Sequence, residues 1–321
     1  AAMLLIRPLL RANKDRKYKV HVVVFFIFLV ANIGGSLTPL GDPPLFLGFL
    51  KGVDFFWTTK AMFLPMLFLV VCLLIIFYIY DTIQYKKEET IPKPSSSEKI
   101  GLKGSFNLLL IIGVVFSVLL SGFWRPHIDF NIYHVHVELQ NITRDLLLLA
   151  LAYASWKFTS KQIREANEFN WFPILEVAKL FAGIFITIIP AIAILKAGTS
   201  GALALIVNSV SSDSGPVNHM YFWLTGILSS FLDNAPTYLV FFNTAGGDPQ
   251  VLMGELSNTL LAISAGAVFM GANTYIGNAP NFMVKSIAES SGIDMPSFFG
   301  YFLYSIVILF PLFGLVSWIF F

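Results

Sequence analysis

Charged side chains are scarce in this sequence, and that scarcity excludes an ordinary soluble protein. Lys, Arg, Asp and Glu make up 12% of the 321 residues, about half of the roughly 25% typical of soluble domains. Hydrophobic residues reach 56%, Phe alone occurs 32 times, and the mean hydropathy is +0.73. A soluble fold of this length could not cover its surface with so few charges, so the composition indicates an integral membrane protein.

The sequence also has a single cysteine, a small net charge and none of three common catalytic or nucleotide-binding motifs. The single cysteine, Cys72, lies in an apolar stretch, which rules out a disulfide framework and a cysteine-based zinc site. A net charge of +2 is too small to indicate a nucleic-acid partner. No HExxH, GxSxG or P-loop string occurs. We therefore predict a protein that is not an enzyme, holds no cofactor and binds no nucleic acid.

Long apolar stretches follow one another along the chain, and a membrane-spanning helix needs about 20 residues. Four stretches approach this length without interruption, namely 61–80, 106–124, 173–196 and 298–321. A shorter one, 143–158, would cross only with its flanks or a tilt. Gly, Pro, Asn and Asp interrupt three others, at 20–50, 219–243 and 251–289. The sequence therefore predicts an all-α, multi-pass membrane protein with broken helices.

A polar segment divides the chain. Residues 81–105 are rich in Pro and Ser and mixed in charge, which is typical of a flexible aqueous linker. We therefore divide the chain into 1–80, 81–105 and 106–321. Basic residues cluster before residue 20, in the linker and at 157–164. By the positive-inside rule this side faces the cytoplasm, and the expected location is a bacterial inner or plasma membrane.

An internal repeat relates two of the interrupted stretches. A shift of 236 positions superposes GGSLTPLGDPPLFLGF (34–49) on MGANTYIGNAPNFMVK (270–285). The shared string T-x-[L/I]-G-[D/N]-x-P places Asp42 on Asn278. Four apolar spans lie between the copies. If 219–243 is a re-entrant hairpin, the copies cross in opposite directions, as in inverted-repeat transporters; if it crosses fully, they are parallel.

The same shift bears on the start of the chain. Ala1 falls opposite Thr237, just past the Asp233-Asn234-Ala235-Pro236 string of the second-half hairpin. From this comparison we expect the first half of the chain to lack a matching hairpin. With the second repeat beginning near residue 104, repeat logic predicts roughly 130 further residues upstream.

The helix breaks suit a polar solute. In hydrocarbon an interrupted backbone is tolerated only where it lines protein or water, and a broken helix leaves free carbonyls, free N–H groups and half-dipoles. Intramembrane carboxylates are costly and functional suspects by default, and Asp42 and Asp233 each lie at a break. A carboxylate that binds either Na⁺ or H⁺ makes the two compete, as antiport requires. The alternative is that each Asp caps the following half-helix.

These arguments give a set of candidate binding residues. We expect Na⁺ at Asp42 and Asp233. The full set predicted to bind ion or substrate is Thr38, Gly41, Asp42, Asp233, Asn234, Thr237, Asn273, Thr274, Gly277 and Asn278.

Two other polar groups allow a functional or a structural interpretation. Glu176 and Lys179 lie three residues apart on one helix face, either as a charge pair that responds to protons or as an ion pair reaching toward water. The stretch 125–142 contains His127, His134 and His136. Clustered histidines can bind metal, but without regular ligand spacing we favour an interfacial or loop segment.

Three strings resemble the NhaD-type sodium/proton antiporters of the ion-transporter superfamily, which also contains citrate, dicarboxylate and arsenite carriers. They are NIGGSLTPLGDPPLFLGFLKGVDFFW, LSSFLDNAPTYLVFF and GANTYIGNAPNFMVKSIAESSGIDMPSFFGY, and the resemblance covers nearly the whole chain. It implies two inverted repeats, each with a re-entrant hairpin and a broken helix, that meet at the substrate site. It also implies electrogenic exchange of cations for protons.

We therefore predict a secondary active transporter, with Na⁺(Li⁺)/H⁺ antiport by alternating access as the leading hypothesis. The alternative is a Na⁺- or H⁺-coupled carrier of citrate, a dicarboxylate or an arsenite-type oxyanion. That carrier would need a cationic or donor-rich pocket, whereas the broken motifs carry Asp and no Arg or Lys. The expected partners are the lipid bilayer and a small cation or carboxylate substrate. A homodimer stays open, since dimers are common among relatives.

Overall fold

The computed structural model describes residues 2–88, 104–124, 126–132, 135–167, 204–212 and 215–321, with scattered residues between 169 and 201. The chain divides into two compact units. The larger combines Ala1–Lys93 with Glu176–Phe321, and the smaller is Pro94–Leu175.

The larger unit begins with an apolar helical region. Its elements are the helices α1 (Ala2–Ala12), α2 (Val20–Phe26), α3 (Pro43–Leu50) and α4 (Phe55–Tyr85), with a π turn (Ile27–Asn32) and a 3₁₀ turn (Ile33–Leu37) between α2 and α3. The side chains of α2 are almost all buried.

The smaller unit contains three described helices and a strand pair. They are α5 (Phe106–Phe123), β1 (Asp129–Ile132), β2 (Val135–Glu138), α6 (Leu139–Phe158) and α7 (Lys161–Ala166). Helices α5 and α6 contact each other.

The second half of the larger unit carries the remaining described elements. They are α8 (Ala204–Val210), β3 (Ser211–Ser212), β4 (Gly215–Pro216), α9 (Asn218–Phe231), α10 (Asn234–Thr244), α11 (Pro249–Met253), α12 (Ser257–Met270), a 3₁₀ turn (Gly271–Asn273), α13 (Ala279–Ser290) and α14 (Phe298–Phe320). Helix α12 is buried along most of its length and contacts both α9 and α10.

The predicted apolar, mostly helical membrane protein is confirmed at this level. Among the described residues, four helical runs are long and apolar enough to cross a membrane. They are Val20–Leu37, Phe55–Tyr85, Phe106–Phe123 and Phe298–Phe320. Large hydrophobic side chains cover the outer faces of α4 and α14, as helices surrounded by lipid require.

The prediction of an all-α chain is wrong at two short strand pairs. In the stretch expected to be interfacial or loop, β1 and β2 pair antiparallel, with Asp129 opposite Glu138 and Asn131 opposite His136. Polar residues alternate there with Phe, Ile and Val, which is the period of a strand. The second pair, β3 with β4, is only two residues long on each side.

Helix α4 runs to Tyr85, past the boundary predicted at residue 80, because its polar end has partners. Asp81 accepts a hydrogen bond from Arg16 at 2.6 Å and lies 2.7 Å from Nε2 of His21. Glu88, just beyond the helix, accepts from the backbone N–H of Tyr18 at 2.9 Å. These bonds hold the start of the predicted linker against the segment before α2. Residues 89–103 of that linker lie outside the described residues.

The helices break at the predicted residues, and the two breaks share one backbone conformation. Thr38 has φ −143° and ψ 153°, and its equivalent Thr274 has φ −137° and ψ 166°. Asp42 has φ −149° and ψ 140°, and its equivalent Asn278 has φ −153° and ψ 135°. A new helix begins directly after each, with proline in its first turn, where the missing N–H costs nothing.

Two glycine pairs allow each break to close on itself. A Cβ on Gly277 would lie 2.6 Å from the carbonyl oxygen of Gly271 and 3.0 Å from that of Ser229. At the first break a Cβ on Gly41 would collide with the carbonyl of Gly35 in the same way. Only glycine permits this approach of backbone to backbone, which explains why both pairs occur in the repeat.

Gly277→Ala is expected to destabilise the fold, because the added methyl group meets two backbone carbonyls that cannot move independently of the break. The cost should be about 1–3 kcal/mol, typical of overpacking, and the thermal unfolding midpoint of purified protein in detergent should fall. Gly314→Ala is the matched control, since nothing lies within 4 Å of a Cβ at Gly314 in α14. Equal midpoints for the two variants would contradict this account of the break.

Candidate functional site

Asp42 lies at the centre of a buried polar cluster. Its side chain is only 3% exposed. Oδ1 accepts a hydrogen bond from Nδ2 of Asn234 at 2.7 Å, and Oδ2 accepts one from Nδ2 of Asn278 at 3.2 Å. Although Asp42 occupies the N-cap position of α3, its side chain makes no capping bond. The carboxylate is therefore directed away from its own helix, toward two other elements.

The two broken motifs meet at this carboxylate. Asp42 and Asn278 are equivalent positions of the repeat, and their side chains are hydrogen-bonded. Asn234 brings the 218–244 helix pair to the same point. Each of the three residues stands at the start of a helix, before α3, in α10 and before α13. Helix N-termini carry partial positive charge. The convergence of three of them therefore places positive ends beside the buried negative charge.

Two further asparagines belong to the cluster, although neither is among the residues predicted from the sequence. Nδ2 of Asn32 donates to Oδ1 of Asn281 at 2.7 Å and to the carbonyl of Ile27 at 2.8 Å. Oδ1 of Asn32 accepts from Nδ2 of Asn278 at 3.2 Å. Both Asn32 and Asn281 are fully buried. A lone asparagine inside the apolar run 20–33 is the signal that could have indicated Asn32, since buried amides need partners.

Asp233 differs from Asp42 in its hydrogen bonds. Its side chain is only partly buried, and Oδ1 accepts from the backbone N–H of Ala235 at 3.1 Å. Thr237 Oγ1 donates to the carbonyl of Asp233 at 2.9 Å. Asp233 is therefore the N-cap of α10, as the capping alternative predicted. Cation binding by Asp233 stays a prediction.

The other predicted residues mainly shape the breaks. Thr274 Oγ1 donates to the carbonyl of Ser230 and accepts from the backbone N–H of Gly277 at 3.0 Å. At the first break, the carbonyl of Thr38 accepts from the N–H of Gly41 at 2.9 Å. These bonds satisfy backbone groups that the helix breaks release. Asn273 is buried against α9, where Nδ2 donates to Oγ of Ser230 at 2.9 Å.

Two amide oxygens near the breaks have no hydrogen-bond partner among the described residues. Oδ1 of Asn234 and Oδ1 of Asn273 are both buried, and neither accepts a hydrogen bond from that part of the chain. A buried unpaired acceptor is costly unless a water or an ion completes it. The oxygen of Asn234 belongs to the same amide that donates to Asp42, so it adds an uncharged acceptor beside the carboxylate.

The remaining candidates are the predicted charge pair and the histidines of 125–142. Lys179 is exposed, and its predicted partner Glu176 lies outside the described residues. Among the histidines of 125–142, His134 is likewise outside them, while His136 faces Asn131 in the strand pair. No group of three metal-ligating side chains occurs within the described part of the chain.

The cluster defines a class of protein. A buried carboxylate where broken apolar helices meet is typical of a secondary transporter, since such helices build substrate sites at membrane depth. The family described as "Putative citrate transport" matches residues 1–321. The chain belongs to that family, within the ion-transporter superfamily.

Neither a curated protein nor a solved structure matches the chain. The family match confirms the resemblance to the superfamily. The narrower NhaD-type assignment stays a prediction.

Asp233→Ala should destabilise the protein by about 1 kcal/mol, the usual cost of a lost N-cap. Asp233→Asn should cost less, because an asparagine oxygen accepts the same backbone bond. Thermal unfolding of the two purified variants beside the wild type measures the difference. If the unfolding midpoints of the two variants fall by the same amount, the charge of Asp233 and not its capping bond stabilises α10.

Proposed function

We propose that this chain is a cation-coupled secondary transporter in which Asp42 binds H⁺ and Na⁺ (or Li⁺) in turn, and that Na⁺/H⁺ antiport is its activity. One observation carries the proposal: the carboxylate of Asp42 is buried where both broken motifs meet, and its hydrogen-bond donors there are amides. Amides stabilise the charge without neutralising it, so a positive charge is still required.

The cluster supplies what a small cation needs. Hard cations such as Na⁺ prefer oxygen ligands, and the carboxylate of Asp42 and the unpaired oxygen of Asn234 lie on neighbouring side chains. A proton bound to Asp42 removes the same charge. Binding of Na⁺ and binding of H⁺ at Asp42 therefore exclude each other. Burying the carboxylate costs little only when one of the two cations is bound to it.

The position of the carboxylate supports alternating access. Asp42 and Asn278 are equivalent positions that contact each other, as residues on a pseudo-twofold axis would. In our proposal the repeats are inverted across a multi-pass bacterial membrane, and movement of one repeat against the other opens the cluster to each side in turn.

Cation-coupled transport of citrate is a second candidate, favoured by two observations. The family description names citrate transport, and three helix N-termini converge on the cluster, which suits a carboxylate ligand. In this version a cation at Asp42 neutralises the site before the anion enters. Asp42 keeps the same role, and only the cargo differs.

Asp42→Asn is expected to abolish Na⁺-dependent proton movement, because an amide binds neither cation by charge. In everted vesicles, Na⁺ or Li⁺ should dissipate an imposed proton gradient with the wild type and give at most about 1% of that rate with the variant. The control is Asp54→Asn, which keeps the N-cap of α4 that Asp54 provides through Phe56 and Trp57. Undiminished exchange in Asp42→Asn would refute the proposed mechanism.

Uptake of citrate distinguishes Na⁺/H⁺ antiport from cation-coupled citrate transport. An antiporter should show no uptake of radiolabelled citrate into proteoliposomes with an inward Na⁺ or H⁺ gradient. A citrate carrier should accumulate the label, lose it in Asp42→Asn, and gain thermal stability with citrate beyond that with Na⁺ alone. Accumulation of label in the wild type would replace antiport by the second candidate.

A further inference from the structure

The four asparagines of the cluster differ in how firmly their amides are oriented. A side-chain amide donates at Nδ2 and accepts at Oδ1, so reversing it exchanges a donor for an acceptor. A backbone carbonyl can only accept. An asparagine whose Nδ2 faces a carbonyl is therefore fixed in one orientation, and this orientation passes to any amide bonded to it.

Asn281 is fixed by two carbonyls of the second break. Its Nδ2 donates to the carbonyl oxygens of Gly271 and Thr274, both at 2.8 Å. These bonds use both of its N–H groups. Its oxygen is consequently the atom that faces Asn32, and it can only accept there.

The side-chain amide of Asn32 is also held in one orientation, and it determines the orientation of Asn278. One N–H of Asn32 meets the oxygen of Asn281 at 2.7 Å, and the other meets the carbonyl of Ile27 at 2.8 Å. The oxygen of Asn32 therefore faces Asn278 and requires a donor. Nδ2 of Asn278 supplies it at 3.2 Å, and its second N–H reaches Oδ2 of Asp42, also at 3.2 Å.

We infer that Asn32 is a positioning residue that locks Asn278 as a hydrogen-bond donor to Asp42 and thereby favours the ionised carboxylate that a cation binds. The inference rests on the proposed function of Asp42. Asn32 itself does not touch the carboxylate in the structure; it acts through Asn278. Asn234 is the contrast, because its oxygen accepts no hydrogen bond from a described residue and only the carboxylate itself orients this amide.

The chain of hydrogen bonds from Asn281 through Asn32 to Asn278, here called the relay, is not repeated at the symmetry-equivalent positions. At the shift of 236 positions, Asn32 corresponds to Val268 and Asn281 to Leu45, both of which are buried. The protein thus contains an apolar version of the same two positions. Asn32→Val and Asn281→Leu are conservative tests, since each introduces the residue that the other copy uses.

Asn32→Val should weaken cation binding while leaving turnover largely intact. Without Asn32, Asn278 can turn its oxygen toward Asp42, the ionised form loses a donor, and the proton competes better. Vesicle exchange should show an apparent KM for Na⁺ raised about tenfold and a pH profile shifted about one unit toward alkaline pH, typical of one hydrogen bond to a charged group. The maximal rate should stay within about twofold.

A double-mutant cycle tests whether the effect passes through Asn278. In an Asn278→Ala background, Asn32→Val should change neither KM nor the pH profile further, because the residue it positions is gone. An additive effect would overturn the inference in favour of a purely structural role. If Asn32→Val is not recovered folded, Asn281→Leu breaks the same relay one step earlier and should give the same KM and pH shifts.

Ser36→Ala is the matched control. Ser36 is fully buried in the adjacent 3₁₀ turn, and its hydroxyl donates to the carbonyl of Ile33 at 2.7 Å, so the variant loses a buried hydrogen bond without touching the relay. Its KM and pH profile should match the wild type. Unchanged KM and pH profile in the relay variants, with exchange abolished in Asp42→Asn, would overturn the inference alone. Exchange that survives in Asp42→Asn would overturn the proposed function itself.

Discussion

A carboxylate buried among apolar helices is stable only where hydrogen-bond donors replace the water it has lost. In this protein the donors of Asp42 come from Asn234 and Asn278, two elements far away in the sequence. Each element presents its amide at a point where a helix begins. Gly277 and Pro280 interrupt the chain at Asn278, whereas α10 begins after the short Leu232-Asp233 break that ends α9. The breaks, the glycine contacts and the asparagine cluster thus all follow from placing one charge inside the fold.

The chemistry of the cluster follows from the fact that the hydrogen-bond donors to Asp42 are uncharged. An arginine or lysine beside Asp42 would form a buried ion pair with little remaining affinity for another cation. Amides leave the negative charge uncompensated, as the proposed binding of a proton or a metal cation requires. The same donors and helix N-termini would suit a carboxylate substrate once a cation is bound. Cation exchange and cation-coupled citrate transport therefore place the same demand on Asp42.

The two copies of the repeat share a backbone and differ in their polar side chains. Glycines, extended residues and helix starts coincide at both breaks, because these features depend on local conformation. Asp42 faces Asn278, and Asn32 and Asn281 stand where the other copy has Val268 and Leu45. One copy thus provides the charge and the other provides a fixed donor. Near-symmetry permits the two breaks to meet, and the departures from it create the polar cluster around Asp42.

Local chemistry made much of this protein predictable from its sequence. Apolar length and scarce charge determined the membrane class, and Gly and Pro determined where helices end, since both act on their own backbone. The β1–β2 pair and the end of α4 were harder to predict from the sequence. The end of α4 depends on Arg16 and His21, which meet Asp81 from 60 or more positions away.

Only the tertiary structure decided the roles of the polar residues. Asp42 and Asp233 look alike in sequence, each at a helix start, yet one binds amides 192 and 236 positions away and the other caps its own helix. Asn32 finds Asn281 at a separation of 249 positions. A hydrogen bond depends on distance and direction in space, so a residue's type reveals that it needs a partner, whereas the partner's identity is set by the packing of the breaks against each other.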